Sequence, residues 1–175
     1  MRSALRFAVA LSCALVAGAA GAQCTATGIP SSCTQARTLR ITARATVEIT
    51  VTPTSFNFAP TASDYTQGYT QALGHSVTLK VNDTWTLSIR SSQTNWTASG
   101  GARTTKPRTD LEWATSSGGP YTAMPGNNAG SALTVVSGGA TSSTTVNLWY
   151  RVLWDWTLDS PGTYTLPVIL LLSAP

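Results

Sequence analysis

The stretch that decides the fold is Thr145–Leu172, TVNLWYRVLWDWTLDSPGTYTLPVILLL. Val146, Leu148, Tyr150, Val152, Trp154 and Trp156 fall on even positions before the turn, and Tyr164, Leu166, Val168, Leu170 and Leu172 do so after it. A side-chain period of two places each apolar set on one face of a strand. Asp159-Ser160-Pro161-Gly162 separates the two strands; proline presets φ for a turn and glycine permits the opposite hand.

Working back from this pair, the same pattern recurs. Between Thr38 and Thr52, Leu39, Ile41, Ala43, Ala45, Val47, Ile49 and Val51 alternate with Arg40, Thr42, Arg44, Thr46, Glu48, Thr50 and Thr52. A strand this long exceeds the ordinary length, so a bend or bulge is expected near Ala43–Ala45, before Pro53 ends the run. Phe56 and Phe58 mark a short strand, and residues 59–74 read as a loop. Val77, Leu79 and Val81 form a strand, Asn82-Asp83-Thr84 a turn, and Trp85, Leu87 and Ile89 the next strand. Their matching phase suits either a hairpin or two strands in different sheets. Leu111 with Trp113, and Leu133 with Val135, complete the set between Gly-, Ser- and Pro-rich connections. No helical period is visible. The expected fold is all-β: an antiparallel two-sheet β-sandwich of seven or eight strands, with a dry interior lined by Ile41, Val47, Leu87, Tyr150, Trp154 and Leu170.

The chain of 175 residues has length for one domain with a real core. Residues 1–22 read as a secretory signal peptide. Arg2 and Arg6 precede an apolar run from Phe7 to Val16, and Ala20-Gly21-Ala22 is a small-x-small cleavage site. Residues 23–37 are an aperiodic lead-in, and 38–175 form the sandwich domain. The expected location is secreted, periplasmic or at a bacterial cell surface, with no membrane span after cleavage. Of 11 Lys and Arg, nine remain once Arg2 and Arg6 leave with the signal, against seven Asp and Glu, for a net charge of +2. No polyanion-binding field follows, and nucleic acid is not an expected partner. Cys24 and Cys33 form an even pair in an oxidising setting and are expected to close a small disulfide loop. Such a bridge contributes about 2–3 kcal/mol; the alternative is two free or metal-binding thiols.

Leu158-Asp159-Ser160-Pro161-Gly162-Thr163-Tyr164 resembles the corner of immunoglobulin-like and fibronectin-III-like domains. In that corner the Tyr hydroxyl bonds back to nearby backbone. The resemblance implies an immunoglobulin-like sandwich. It departs from the pattern in having no inter-sheet disulfide and in opening the last strand rather than an earlier one. The segment Val81–Leu87, Val-Asn-Asp-Thr-Trp-Thr-Leu, is similar to segments of secreted bacterial surface and fimbrial-type sandwich proteins, which implies a surface or adhesive role.

Chemistry-bearing residues are sparse. His75 is the sole histidine, and no Gly-x-Ser-x-Gly elbow accompanies it; it reads as a residue at a loop end. The seven carboxylates are Glu48, Asp64, Asp83, Asp110, Glu112, Asp155 and Asp159, and no spacing pairs two of them for glycoside hydrolysis. Asp64, Asp83 and Asp159 read as turn residues bonded to their own backbone. No cofactor and no metal site is expected: one histidine and a disulfide pair do not make a zinc ligand set, and calcium, left open through loop Asp and backbone carbonyls, has no acidic loop motif to support it.

Trp85, Trp113, Trp154 and Trp156 share strand faces with aliphatic residues and read as core. Trp149 shares its face with Asn147, Arg151 and Asp155. Beside Arg151 it is a candidate stacking platform for a sugar ring or a subunit contact; the plainer reading is a Trp packed under a loop with Arg151 and Asp155 paired. A second candidate is the polar loop 91–109. It carries Trp96, Arg103, Lys106 and Arg108 and suits an anionic polysaccharide or a membrane surface if mobile, or is a solvated loop tip if not. The expectation is a non-catalytic extracellular interaction module of adhesion type, whose partner is cell-envelope polysaccharide or another protein subunit. The alternatives are a fibre subunit assembled by strand complementation and a carbohydrate-binding module.

Overall fold

The computed structural model describes residues 39–175. The expected signal peptide and lead-in, and with them Cys24, Cys33 and the disulfide expected between them, lie outside the described residues. Residues 39–46 carry no strand, and those from Ala43 onward belong to one compact unit. Ten strands follow, all paired antiparallel. They are β1 (Val47–Thr52), β2 (Tyr69–Val81), β3 (Trp85–Ser91), β4 (Thr97–Ser99), β5 (Leu111–Ala114), β6 (Thr122–Ala123), β7 (Leu133–Gly138), β8 (Thr141–Leu153), β9 (Thr163–Thr165) and β10 (Val168–Ser173). A five-stranded sheet has the order β1-β2-β8-β5-β6, a three-stranded sheet β10-β3-β7, and β4 pairs with β9. The fold is an all-β antiparallel sandwich. The short strand expected at Phe56 and Phe58 does not form, the expected terminal strand is split at Leu166-Pro167 into β9 and β10, and the short β4 and β6 are additions.

The interior is built from the two facing alternations. Val77, Leu79 and Val81 of β2, Leu111 and Trp113 of β5, and Leu148, Tyr150 and Val152 of β8 meet Trp85, Leu87 and Ile89 of β3. Leu79, Leu87, Ile89 and Leu148 have no exposure at all. Burying each of these aliphatic side chains is worth roughly 1.5–3 kcal/mol relative to leaving it in water. Val77–Val81 and Trp85–Ile89 sit in different sheets, so their shared phase reflects two faces looking at each other rather than a hairpin. The same holds for the terminal pair, with β8 in one sheet and β10 in the other.

Four of the six expected interior residues join the core. Leu87 and Tyr150 are buried, and Trp154 and Leu170 pack against it. Val47 is 44% exposed and Ile41 79% exposed. The long strand expected over 38–52 is shorter because its partner is short. Val47 pairs with Val81, the last residue of β2. Preceding residues have no ladder to join, and the Asn82 side chain takes over. It accepts from Thr46 N (2.6 Å) and donates to the Arg44 carbonyl (2.9 Å). The loop expected over 59–74 contains a short helix, α1 (Ala62–Gln67), and half of β2. Asp64 accepts from Thr61 N at 2.7 Å, and Gly68, at φ +86°, ends the helix.

One irregularity governs what faces outward. Between Leu73 and His75 the β2–β8 register shifts by a bulge at Gly74. Before the bulge Leu73 lies opposite Trp149; after it His75 lies opposite Leu148. The odd-numbered residues of β2 therefore face outward up to Leu73 and inward from His75. Gly74 is required there, because a Cβ would overlap the Tyr150 ring.

Candidate functional site

The outward face of the five-stranded sheet collects residues from three strands and from the turn before β6. Trp149 and Arg151 project from β8, flanked by Leu73, Gln71 and Tyr69 of β2 and by Ala114 and Glu112 of β5. Arg151 is the centre. Its guanidinium carbon lies 3.9 Å from the Tyr121 ring centroid and 4.9 Å from that of Tyr69, so aromatic rings flank it. Its Nε is 3.1 Å from Glu112 Oε2, an ion pair of half-buried side chains. The geometry at Nε is off the hydrogen-bond line. Tyr121 reaches its position from a tight turn. Gly119 has φ +77°, and a Cβ there would come within 2.9 Å of Tyr121 N. The Tyr121 hydroxyl donates to the Ser117 carbonyl (3.2 Å). Burial raises the Tyr121 phenol above its ordinary pKa, against the opposing pull of Arg151.

The plainer reading of this face needs correcting in one respect: Arg151 pairs with Glu112, not with Asp155. Asp155 lies beyond the end of β8, and its Oδ1 accepts from Thr157 N (2.7 Å) and Leu158 N (3.1 Å), closing a turn on itself. Trp149 is half-buried. Glu112 reads in the sequence as a carboxylate on the polar strand face, opposite Leu111 and Trp113, but not as a partner of Arg151; Tyr69 and Tyr121 are not singled out there. For the two tyrosines no signal existed.

The second candidate resolves differently. Loop 91–109 is folded back on itself. Trp96 N donates to the Lys106 carbonyl (2.9 Å), and Arg108 N to that of Thr94 (2.9 Å). The Trp96 indole donates to the Pro107 carbonyl (3.1 Å) and packs against the core. Lys106 has no exposure. Its ammonium donates to Asp159 Oδ2 (2.8 Å), Asp110 Oδ2 (3.1 Å) and the Leu153 carbonyl (2.7 Å), with the Trp154 ring 4.7 Å away. Arg103 adds a contact to Asp159 Oδ1 at 3.4 Å. Of the expected cationic set, Lys106 is sealed inside and Arg103 is tied to Asp159. Arg108 is half-buried, with its Nε inside and unpaired among the described residues. They do not form a solvent-facing patch.

Asp159 is likewise more than a turn residue. It is 5% exposed and receives Lys106, Arg103 and the Asp155 amide (3.0 Å). Beside it, the Tyr164 hydroxyl donates to the Ser160 carbonyl (2.8 Å) and accepts from Arg103 N (3.0 Å). The bond back to nearby backbone is the one that the corner sequence implied. Trp156, expected in the core, is 61% exposed and stacks on Tyr65 with centroids 4.9 Å apart. Strand β8 ends at Leu153, so the alternation no longer maps onto faces there.

No protein-family model and no curated protein sequence matches the chain. The site must therefore be read from its own geometry.

A cleft of about 760 Å³ remains between the five-stranded sheet and the β9–β10 run. Phe56, Phe58, Trp96 and Trp154 line it, and His75 and Tyr150 are among the polar groups of its wall. His75 Nδ1 and the Tyr150 hydroxyl are 3.1 Å apart. Burial lowers the His75 pKa and raises that of Tyr150 well above the ordinary phenol value. His75 is thus a strand residue packed edge-on against Tyr150, not the loop-end residue expected.

Proposed function

We propose that this chain is a secreted, non-catalytic interaction module of adhesion type, of immunoglobulin-like build, that engages cell-envelope polysaccharide through the outward face of its five-stranded sheet. The observation that carries the reading is the pair of rings, Tyr69 and Tyr121, around the partly open Arg151–Glu112 pair, with Trp149 two residues along the same face of β8. Aromatic rings offer large, rigid, amphipathic area to the C–H face of a sugar. The non-catalytic part is supported by how the acids are used. Glu48 pairs with Lys80, Asp64 caps α1, and Asp83 bonds Thr84 N. Asp110 and Asp159 hold Lys106, Glu112 faces Arg151, and Asp155 closes a turn. Each carboxylate has structural work, and none is paired across a cleft with another. The test is electrophoresis of the mature protein through gels containing purified cell-envelope polysaccharide. Retardation that disappears in Trp149→Ala, with the melting temperature unchanged, supports the reading; mobility identical in both proteins removes it.

A fibre subunit is the second reading, and a separate observation favours it. Leu39 and Ile41 are 83% and 79% exposed in an alternating segment, and β1 and β10 are sheet edges. Exposed edges of this kind accept a neighbour's strand. A ladder of oligomers on size-exclusion chromatography, collapsing to monomer in Ile41→Asp, is the outcome this reading requires.

A further inference from the structure

Resting on the polysaccharide reading, we infer that the ligand at the outward face is an uncharged sugar with adjacent hydroxyls, held jointly by Arg151 and Glu112. Tyr121 and Tyr69 flank the guanidinium and restrict what remains open to its edge. Along that edge, the terminal nitrogens of Arg151 make no hydrogen bond to any described residue, and the Glu112 carboxylate accepts none. The two side chains are 25% and 22% exposed, so they are held in place yet still reach solvent. The result is a fixed donor beside a fixed acceptor.

A pair of neighbouring hydroxyls matches that arrangement. One oxygen accepts from an Arg151 terminal N–H, and the other hydroxyl donates to Glu112. The sugar ring then extends along the sheet toward Trp149, two residues away on the same strand and roughly 7 Å distant, where its C–H face finds the indole. A carboxylate ligand suits the site poorly. It gains Arg151 but meets the Glu112 charge that lies 3.1 Å from the same guanidinium, and like charges at such range oppose one another. The pair carries no net charge, so binding should respond little to salt.

Gel retardation tests this, using soluble neutral glucans, mannans and galactans beside polygalacturonate, each at low and high salt. The expected result is retardation by at least one neutral polymer that is insensitive to salt. Arg151→Lys and Glu112→Gln should each weaken it about tenfold or more, since lysine lacks the guanidinium edge that meets the hydroxyl and glutamine exchanges a charged acceptor for a neutral one. Thermal melting of both variants checks that the domain remains folded. Preference for polygalacturonate, lost in high salt and enhanced by Glu112→Gln, overturns the inference and leaves the polysaccharide reading standing. Neutral binding lost in Trp149→Ala but unaltered by Arg151→Lys and Glu112→Gln overturns it too. If no polymer retards the protein, the polysaccharide reading fails and the inference falls with it.

Discussion

Two places in this domain bring together a cation, a carboxylate and aromatic rings, and burial separates their roles. Lys106 and Asp159 are sealed, with side chains 0% and 1% exposed, and the ammonium has three oxygen partners beside the Trp154 ring. Arg151 and Glu112 have similar chemistry between Tyr69 and Tyr121, but each keeps about a quarter of its side-chain surface. In the first, every proton is committed, and a ligand has nothing to displace. In the second, the aromatic rings hold the charged groups still without using their hydrogen-bonding capacity. Rigid groups with spare valence are what a binding surface needs; rigid groups without it are what a loop junction needs. The closed cluster ties loop 91–109 to the turn after β8, and the Tyr164–Ser160 bond lies beside it.

The contrast can be broken by mutation. Lys106→Met leaves Asp159 and Asp110 without their ammonium partner and should cost about 3–5 kcal/mol, measured by urea unfolding. A neutral result would mean that the cluster does not hold the loops together. Tyr164→Phe, which removes the hydroxyl linking Ser160 to Arg103, should cost about 1–3 kcal/mol in the same assay. Arg151→Gln should lower stability by about 1 kcal/mol or less, because the pair is partly solvated. A loss as large as that of Lys106→Met would place both pairs in one structural class.

The smallest effect concerns His75. Burial depresses its pKa, so the unfolded chain binds a proton that the folded protein resists. Stability should therefore be complete above the ordinary imidazole value of 6.5 and decline as pH falls through it toward the lower folded value. Thermal melting between pH 8 and pH 5 should show that decline, and His75→Phe should flatten it. Asp64 and Asp155, whose pKa values are lowered by hydrogen bonds, act only below that window.

How much of this was legible beforehand follows from the range of each signal. The alternation of Val77–Val81, Trp85–Ile89 and Leu148–Val152 is local, and those residues do form the core. Trp149 and Arg151 were legible as outward-facing by their phase against Leu148, Tyr150 and Val152. Their surroundings were not. Tyr69 reaches Arg151 because the bulge at Gly74 inverts the phase of β2, and nothing in the local pattern announces an inserted residue. Lys106 looked like a surface cation because lysine in a polar loop generally is one. Its burial depends on Asp159, distant in sequence, and on the Leu153 carbonyl.

The sequence alone determined which side chains share a strand face, because a period of two is a property of the extended backbone itself. It also determined the corner at Asp159–Tyr164, where Pro, Gly and Tyr act within a few residues of one another. Strand length, sheet membership and charge pairing were decided only by the tertiary structure. β1 begins where β2 can offer a partner, and Lys106 is accommodated in the interior only because three separate segments supply its oxygens. Each depends on contacts between residues far apart in the chain, and no local pattern encodes a partner's position.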